Sequence, residues 1–250
     1  MNNIHLISFG CNKYKNSIKR LYNEANYSKW FNSITIYTPE DIEFQFKNKH
    51  KEIFNYEKGY GYWIWKNYFI RKRLNEIDDN DILLYLDCGF LINKNAKKRF
   101  FEYIDLINKS NKDVLSFELN TIENNWTIDE IFKIFDISDS NQIYNSKQLI
   151  AGIRFFKKTN NSLNLINKLY DLIDNNNLLI TDNYNKKQKN KNFKDNRHDQ
   201  SISSVFYKYN NATIILKDET YPYNKEYPFY AARLDDDQFI IFNYYFLLDL

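Results

Sequence analysis

Asp81-Ile82-Leu83-Leu84-Tyr85-Leu86-Asp87-Cys88-Gly89 is an apolar run entered by one carboxylate and left on another, which a glycine soon follows. A run of this length, bounded by turn residues, reads as a buried strand, predicted over Asp81 to Leu86. In open α/β sheets ligands bind beyond the carboxyl ends of the strands. Asp87-Cys88-Gly89 is therefore a first place to look for chemistry. The competing reading of Asp87 is a turn carboxylate that caps the next element.

Outward from this strand the same grammar repeats. Ile4 to Phe9 is a second apolar run, closing on Gly10, and a polar helix-like segment follows from Lys15 to Asn26. Ser33 to Tyr37 is predicted as a strand stopped near Pro39, and a helical stretch ends near Tyr56 before a turn at Gly59 and Gly61. Ile70, Leu74 and Ile77 recur at i, i+4 and i+7, so Ile64 to Ile77 reads as an amphipathic helix. Further on, Thr127 with Glu130 predicts a capping box for a helix through Phe135. Leu149 to Phe156 reads as one strand, and Leu163, Ile166, Tyr170 and Ile173 mark a helix face. A helix carrying Ile202, Val205, Phe206 and Tyr209 opens after His198-Asp199-Gln200, and Ile214 to Leu216 gives a late strand. Alternating strands and helices without repeats imply a single α/β domain over residues 1–250 with a mostly parallel central sheet flanked by helices.

Composition narrows the classes. The 250 residues are 43% hydrophobic and 18% aromatic, which excludes a disordered chain. With 5 Gly, neither a G-x-G-x-x-G nor a Walker-type phosphate loop can be written. Two cysteines, Cys11 and Cys88, make no disulfide framework, and with 3 His they match no zinc spacing. The net charge of +3 is too small, and too scattered, for a nucleic-acid stripe. Asparagine occurs 37 times, a compositional bias that empties most Asn of functional meaning. The first residues carry no secretory signal, and the longest apolar run, Phe239 to Leu250, is too short to span a bilayer. A soluble cytoplasmic protein is expected, in a host's cytoplasm if the chain is viral, with room for peripheral membrane contact.

Three clusters bear chemistry. Asp87 beside Gly89 offers a carboxylate that can hold Mg²⁺ or Mn²⁺ against a diphosphate. Gly59-Tyr60-Gly61-Tyr62-Trp63-Ile64-Trp65-Lys66 holds two of the chain's 4 Trp, and aromatic faces with a cation suit a base, a sugar or a phosphate. Lys66, in a first helical turn, is the best single candidate for phosphate, against the plainer reading of a helix that buries its first turn. Arg197-His198-Asp199-Gln200 opens a helix beside the Asn/Lys-rich segment 184–195, which has five lysines and reads as a mobile loop. A loop that closes over titratable groups excludes water, while the competing reading makes Asp199 a simple N-cap. His5 and His50 are expected to be structural or surface residues, and Asp235-Asp236-Asp237 a solvated turn.

Taken in order, these segments resemble a GT-A type nucleotide-sugar glycosyltransferase, of the small group from capsule, lipopolysaccharide and viral glycan loci. The group's pattern is G-[YF]-G-Y-W-x-W-K, D-I-x-x-Y-x-D-x-G, N-W-T-x-x-D-x-F, F-F-K-K-T and R-H-D-Q-S. This chain carries Gly59 to Lys66, Asp81 to Gly89, Asn125-Trp126-Thr127 with Asp129 and Phe132, Phe155 to Thr159, and Arg197 to Ser201.

The resemblance implies a GT-A fold and transfer of a sugar from a nucleotide-diphosphate donor, UDP-sugar favoured, to a glycan or glycolipid acceptor. It implies a divalent cation, Mn²⁺ or Mg²⁺, on Asp87 and His198, although Gly89 replaces the second Asp of the Asp-x-Asp motif. Ser8, Phe9, Gly10, Trp63, Lys66, Asp87, Gly89 and Arg197 would bind the nucleotide-sugar. Asp199, His198 and Gln200 would form the catalytic group, with retention favoured over inversion. Gln200 stands where a related family has a Glu proposed as nucleophile. The alternatives are a catalytically inactive nucleotide-sugar or carbohydrate-binding protein of the same fold, and a basic nucleic-acid-binding domain.

Overall fold

In the computed structural model residues 2–233 are described, and the apolar run at Phe239 to Leu250 and the triplet Asp235-Asp236-Asp237 lie outside them. The central sheet places β1 (Ile4–Phe9) between β2 (Ser33–Tyr37) and β3 (Ile82–Leu86), all parallel. Beyond β3 comes β7 (Ile153–Lys157), antiparallel to it, then β5 (Val114–Ile122) and finally β8 (Thr213–Lys217) parallel to β5. The short β6 (Lys147–Leu149) pairs antiparallel with the far half of β5. Thus β1, β2, β3, β5 and β8 run one way and only β6 and β7 run against them. A two-stranded ribbon of β4 (Leu91–Ile92) and β9 (Phe229–Tyr230) stands apart.

Two cores sandwich the sheet, because successive strand residues face opposite ways. Leu83 and Tyr85 of β3 join the core that packs helices α2 (Trp65–Glu76), α4 (Asn160–Asn175) and α5 (Asp199–Tyr209). Ile82, Leu84 and Leu86 join the other, under α1 (Lys15–Ser28) and α3 (Lys97–Lys109). Both faces are covered, which is why β3 reads as a continuous apolar run rather than an alternating one.

Three expectations are corrected. The run Leu149 to Phe156 is two strands, since Ile150-Ala151-Gly152 leaves the ladder and Gly152 accepts the Asp87 N–H at 2.8 Å. Thr127 does not N-cap the following helix: its hydroxyl donates to the buried Glu123 carboxylate at 2.8 Å, and that helix, Asp129–Ile134, has Ile128 at its N-cap. The helix predicted over Ile64 to Ile77 exists as α2, but its first turns are not amphipathic, because Trp65, Lys66, Asn67, Tyr68, Phe69 and Ile70 are all buried. Sequence reading also passed over α3 and β5. Their signals are the periodic Phe100, Ile104 and Ile107, and the run Val114 to Phe117. As expected, His5 and His50 are structural: His5 bridges Ser33 and Asp81, and His50 lies 2.7 Å from Asp174.

Candidate active site

Where β3 ends, Asp87 leaves the sheet with its backbone pinned on both sides. Its N–H is held by Gly152, and its carbonyl accepts the Phe90 N–H at 3.0 Å. Arg20 of α1 donates to the carbonyls of Cys88 at 2.8 Å and Phe90 at 2.7 Å, which fixes the loop from beneath. The hydroxyl of Tyr85, two residues back on the same face, donates to Asp87 Oδ1. Burial and the Asp87 charge push the Tyr85 phenol well above its ordinary range, so it remains a donor. A methyl on Gly152 would stand 2.8 Å from Asp87 Oδ2 and 2.8 Å from the Phe90 ring, so the loop and the carboxylate need the bare backbone there.

Onto this carboxylate comes Lys66, from the first turn of α2. Its ammonium lies 2.8 Å from Asp199 Oδ2 and 3.4 Å from Asp87 Oδ1, and it donates to the Ala151 carbonyl at 3.4 Å. Burial pulls its pKa down, but Asp199 and Asp87 outweigh burial and leave it raised, so the group stays charged. Asp199 opens α5, where the helix dipole favours a carboxylate. Arg154, opposite Tyr85 in the β3–β7 register, is buried with its guanidinium 4.5 Å over the Tyr207 ring and its Nε without a hydrogen-bond partner. Burial lowers its pKa as well. The result is a buried cluster of Lys66, Arg154, Asp87 and Asp199 at the strand ends, with only Asp87 partly open to solvent.

The glycine-aromatic stretch presents Lys66 through an uncommon turn. From Gly59 to Trp63 every φ is positive, so the chain makes a left-handed turn before α2 begins. Non-glycine residues pay for this conformation in steric strain, and such strain persists where surrounding structure holds it. Here Trp65 Nε1 donates to the Gly59 carbonyl at 2.9 Å, and a Cβ at Gly59 would stand 2.4 Å from the Trp63 ring.

Trp63 stacks on His198 with ring centroids 5.2 Å apart, and Tyr62 lies at 5.1 Å from the same imidazole. His198 Nδ1 is 3.8 Å from Asp182, which also receives Lys58 and the Tyr62 hydroxyl at 3.0 Å. Burial, helped by Lys58, pushes the His198 pKa down to about 4, so the ring is neutral at pH 7. Its backbone φ is also positive, at 58°.

No protein-family model and no curated protein matches the chain, but solved structures resemble it in shape. A glycosyltransferase involved in the glycosylation of the major capsid of PBCV-1 superposes over 91% of this chain and 93% of its own, with a TM-score of 0.52 at 14% identity. The fold is GT-A-like. The bifunctional glycosyltransferase WbbM, in its apo form, aligns with 86% of this chain and 39% of its own length (TM-score 0.49, 12% identity). The galactosyltransferase LgtC, solved with donor and acceptor sugar analogs, aligns with 84% and 72% (TM-score 0.44, 11% identity).

Within this GT-A-like frame, the residues expected at the site fall into separate groups. Asp87, Lys66 and Asp199 meet directly, whereas Trp63 and His198 pair beside Asp182. Gln200 is held by the Ala151 N–H at 3.3 Å and donates to Gln148 at 2.9 Å. Arg197 lays its guanidinium 4.0 Å over Trp126 with Nε unpartnered, and burial together with Arg233 lowers its pKa. At the end of β1, Ser8 is buried with its hydroxyl unpartnered, the Phe9 ring is stacked on Trp65 at 3.8 Å, and the Gly10 N–H donates to Tyr37. Gly89 follows Cys88 in the loop that Arg20 holds, and burial pushes the Cys88 thiol up to about 12.

The segment 184–195 is tied down rather than free-standing. Gln188 bonds the Asp129 N–H and Glu130, Asn190 reaches the Asn124 carbonyl, and the Lys194 N–H donates to Asn125. Sequence reading missed Tyr85, Arg154, Arg20 and Gln148. The tyrosine of the D-I-x-x-Y-x-D-x-G pattern was a signal for Tyr85, and an arginine within the apolar run Ile153 to Phe156 was a signal for Arg154.

A divalent cation needs several oxygen ligands. Among the described residues no three His, Cys, Asp or Glu side chains gather to supply them. Asp87 is paired with Lys66 and Tyr85, and His198 faces Asp182 instead. Mg²⁺ is commonly held by one or two carboxylates together with substrate phosphates and water, and Asp87, partly exposed beside the Lys66 ammonium, is the carboxylate at this strand end that could share in such a set.

Proposed function

We propose that this protein is a glycosyltransferase that moves a sugar from a nucleotide-diphosphate donor to the hydroxyl of a glycan acceptor. The observation that carries this reading is the buried Lys66 ammonium between Asp87 and Asp199, at the strand ends of a GT-A-like fold. In the reaction the bond from the anomeric carbon to the diphosphate breaks, a bond to the acceptor oxygen forms, and the acceptor's proton passes to the departing diphosphate. Negative charge grows on the diphosphate while positive charge grows at the anomeric carbon. Preorganised charges in a water-poor site stabilise such a separation. Lys66 and Arg197 supply the positive side, and Asp199 and Asp87 the negative. Gln200 is a carboxamide held by two hydrogen bonds, so it orients rather than attacks. A UDP-sugar is the favoured donor, and retention the favoured outcome.

The test is isothermal titration and product analysis with UDP-, GDP- and CDP-sugars, each with and without Mn²⁺, on the native chain and on Asp87→Ala. Binding of one donor with release of its nucleoside diphosphate supports the reading. Binding without release in the presence of glycan acceptors favours an inactive nucleotide-sugar-binding protein. No binding of any donor overturns both.

A further inference from the structure

Past β8 the chain folds a concave surface whose lining holds none of Lys66, Asp87 and Asp199. Residues 218–227 border an open depression of about 570 Å³, lined by Asp218, Tyr221, Tyr223, Asn224, Lys225 and Tyr227. Its size falls within the roughly 300–1,000 Å³ typical of small-molecule sites. Tyr221 is 64% exposed. Its ring stacks parallel to Tyr230 at 6.2 Å, and Tyr223 meets Tyr230 edge-on at 5.6 Å, so three tyrosine rings cluster there.

The depression is built rather than draped. Asn93, just after β4, donates its side-chain amide to the carbonyls of Lys225 at 2.7 Å and Tyr227 at 3.2 Å, and its N–H to Pro228 at 2.9 Å. Asp218 receives both the N–H and the hydroxyl of Thr220, and the Ala231 N–H closes back on the Thr220 carbonyl at 2.9 Å. The β4–β9 pairing then joins this framework to the segment that continues directly from the Asp87 loop. Holding a binding surface in shape before the ligand arrives lowers the ordering cost of binding.

The lining selects its ligand by charge. The lining carries one lysine and one aspartate, so the surface offers no net positive charge to a phosphate and no apolar pocket free of polar groups for a lipid chain. Exposed tyrosine rings present flat apolar faces, and their hydroxyls, with Asp218, Asn224 and Lys225, present donors and acceptors around the rim. A neutral sugar ring has the complementary form, with C–H bonds on its face and hydroxyls on its edge.

We propose that residues 218–227 are an acceptor subsite for a neutral oligosaccharide, with Tyr221 as the ring on which a sugar unit stacks. The proposal rests on the glycosyltransferase reading for the word acceptor, whereas the saccharide site itself stands without it. Tyr221 and Lys225 are both exposed and outside the Lys66–Asp87–Asp199 cluster.

The test uses cellotetraose, chitotetraose, maltotetraose and α-mannotetraose as probes, followed by saturation-transfer NMR on the native chain, Tyr221→Ala and Lys225→Gln. At least one tetrasaccharide should bind the native chain, with affinity at least tenfold weaker in Tyr221→Ala and severalfold weaker in Lys225→Gln. Circular dichroism and donor titration on the same variants should be unchanged. With the tetrasaccharide that binds as acceptor, Tyr221→Ala should raise KM at least fivefold and leave kcat within twofold. Absence of binding by all four probes overturns the subsite, as does equal binding by Tyr221→Ala. Donor turnover without saccharide binding would sink the subsite and leave the transferase reading standing. Tyr221-dependent saccharide binding without any donor binding would do the reverse.

Discussion

Lys66 Nζ lies 2.8 Å from Asp199 Oδ2, although the two residues open different helices, α2 and α5, on one face of the sheet. Both side chains are under a tenth exposed, so neither charge has water to fall back on. Breaking a buried pair by removing one partner costs about 3–5 kcal/mol, while replacing both with apolar groups of similar volume can be neutral. Lys66→Met should therefore lower unfolding free energy by about that amount. Lys66→Met combined with Asp199→Leu should recover most of it. Both variants should lose donor turnover. Urea unfolding beside a product assay measures the two effects separately, and a double variant no more stable than Lys66→Met would show that the pair is not the source of the loss.

The Tyr85 hydroxyl positions Asp87 without touching solvent. Tyr85→Phe removes one hydrogen bond to a carboxylate that is partly exposed and can take water in its place. Stability should change by no more than about 1.5 kcal/mol. Donor affinity should weaken by up to tenfold, because the carboxylate then has Lys66 alone to orient it. Asp87→Ala should go further and abolish any donor-induced rise in melting temperature. Differential scanning fluorimetry with and without the donor tests both, and full donor stabilisation of Asp87→Ala would remove Asp87 from the site.

Most of this site was legible as separate words before it was legible as a sentence. Asp87, Lys66 and Asp199 each stood out by type and position, since a strand end and two helix starts are where polar groups meet ligands. That Lys66 bridges the two carboxylates was not readable, because the bridge depends on where α2 and α5 dock against the sheet. The break at Gly152 was hidden for a related reason: Leu149 to Phe156 keeps strand-like chemistry throughout, and only the approach of the Asp87 loop forces the ladder apart. Thr127 misled because a capping-box pattern is local, while the buried Glu123 carboxylate that takes its hydroxyl lies in the preceding turn and is fixed by Ser204 and Lys208 of α5.

Gly152 tests how closely fold and site are joined. A Cβ there meets Asp87 Oδ2 and the Phe90 ring at 2.8 Å each, and neither neighbour is free to leave, since Arg20 holds the Phe90 carbonyl. Overpacking of this kind costs about 1–3 kcal/mol. Gly152→Ala should lose that much stability and at least tenfold in kcat, with Asp87 pushed off Tyr85. A Gly152→Ala variant with native turnover would mean that the loop can shift without consequence for the reaction.

His198 makes the protein's stability depend on pH with a definite sign. Burial and the Lys58 charge hold its folded pKa at about 4, against an ordinary 6.5, with Asp182 and Asp195 opposing them only in part. As pH falls below 6.5 the unfolded chain takes up a proton that the native imidazole refuses, so stability drops between pH 6.5 and about 4. Below about 4 both states are protonated and this contribution levels off. His198→Phe keeps a ring against Trp63 but cannot titrate, so its stability should vary less across that window than that of the native chain. Urea midpoints taken at half-unit steps from pH 4 to 7.5 give the comparison. Parallel curves for the two proteins would assign the acid sensitivity to other groups and return the Trp63–His198 stack to a purely packing role.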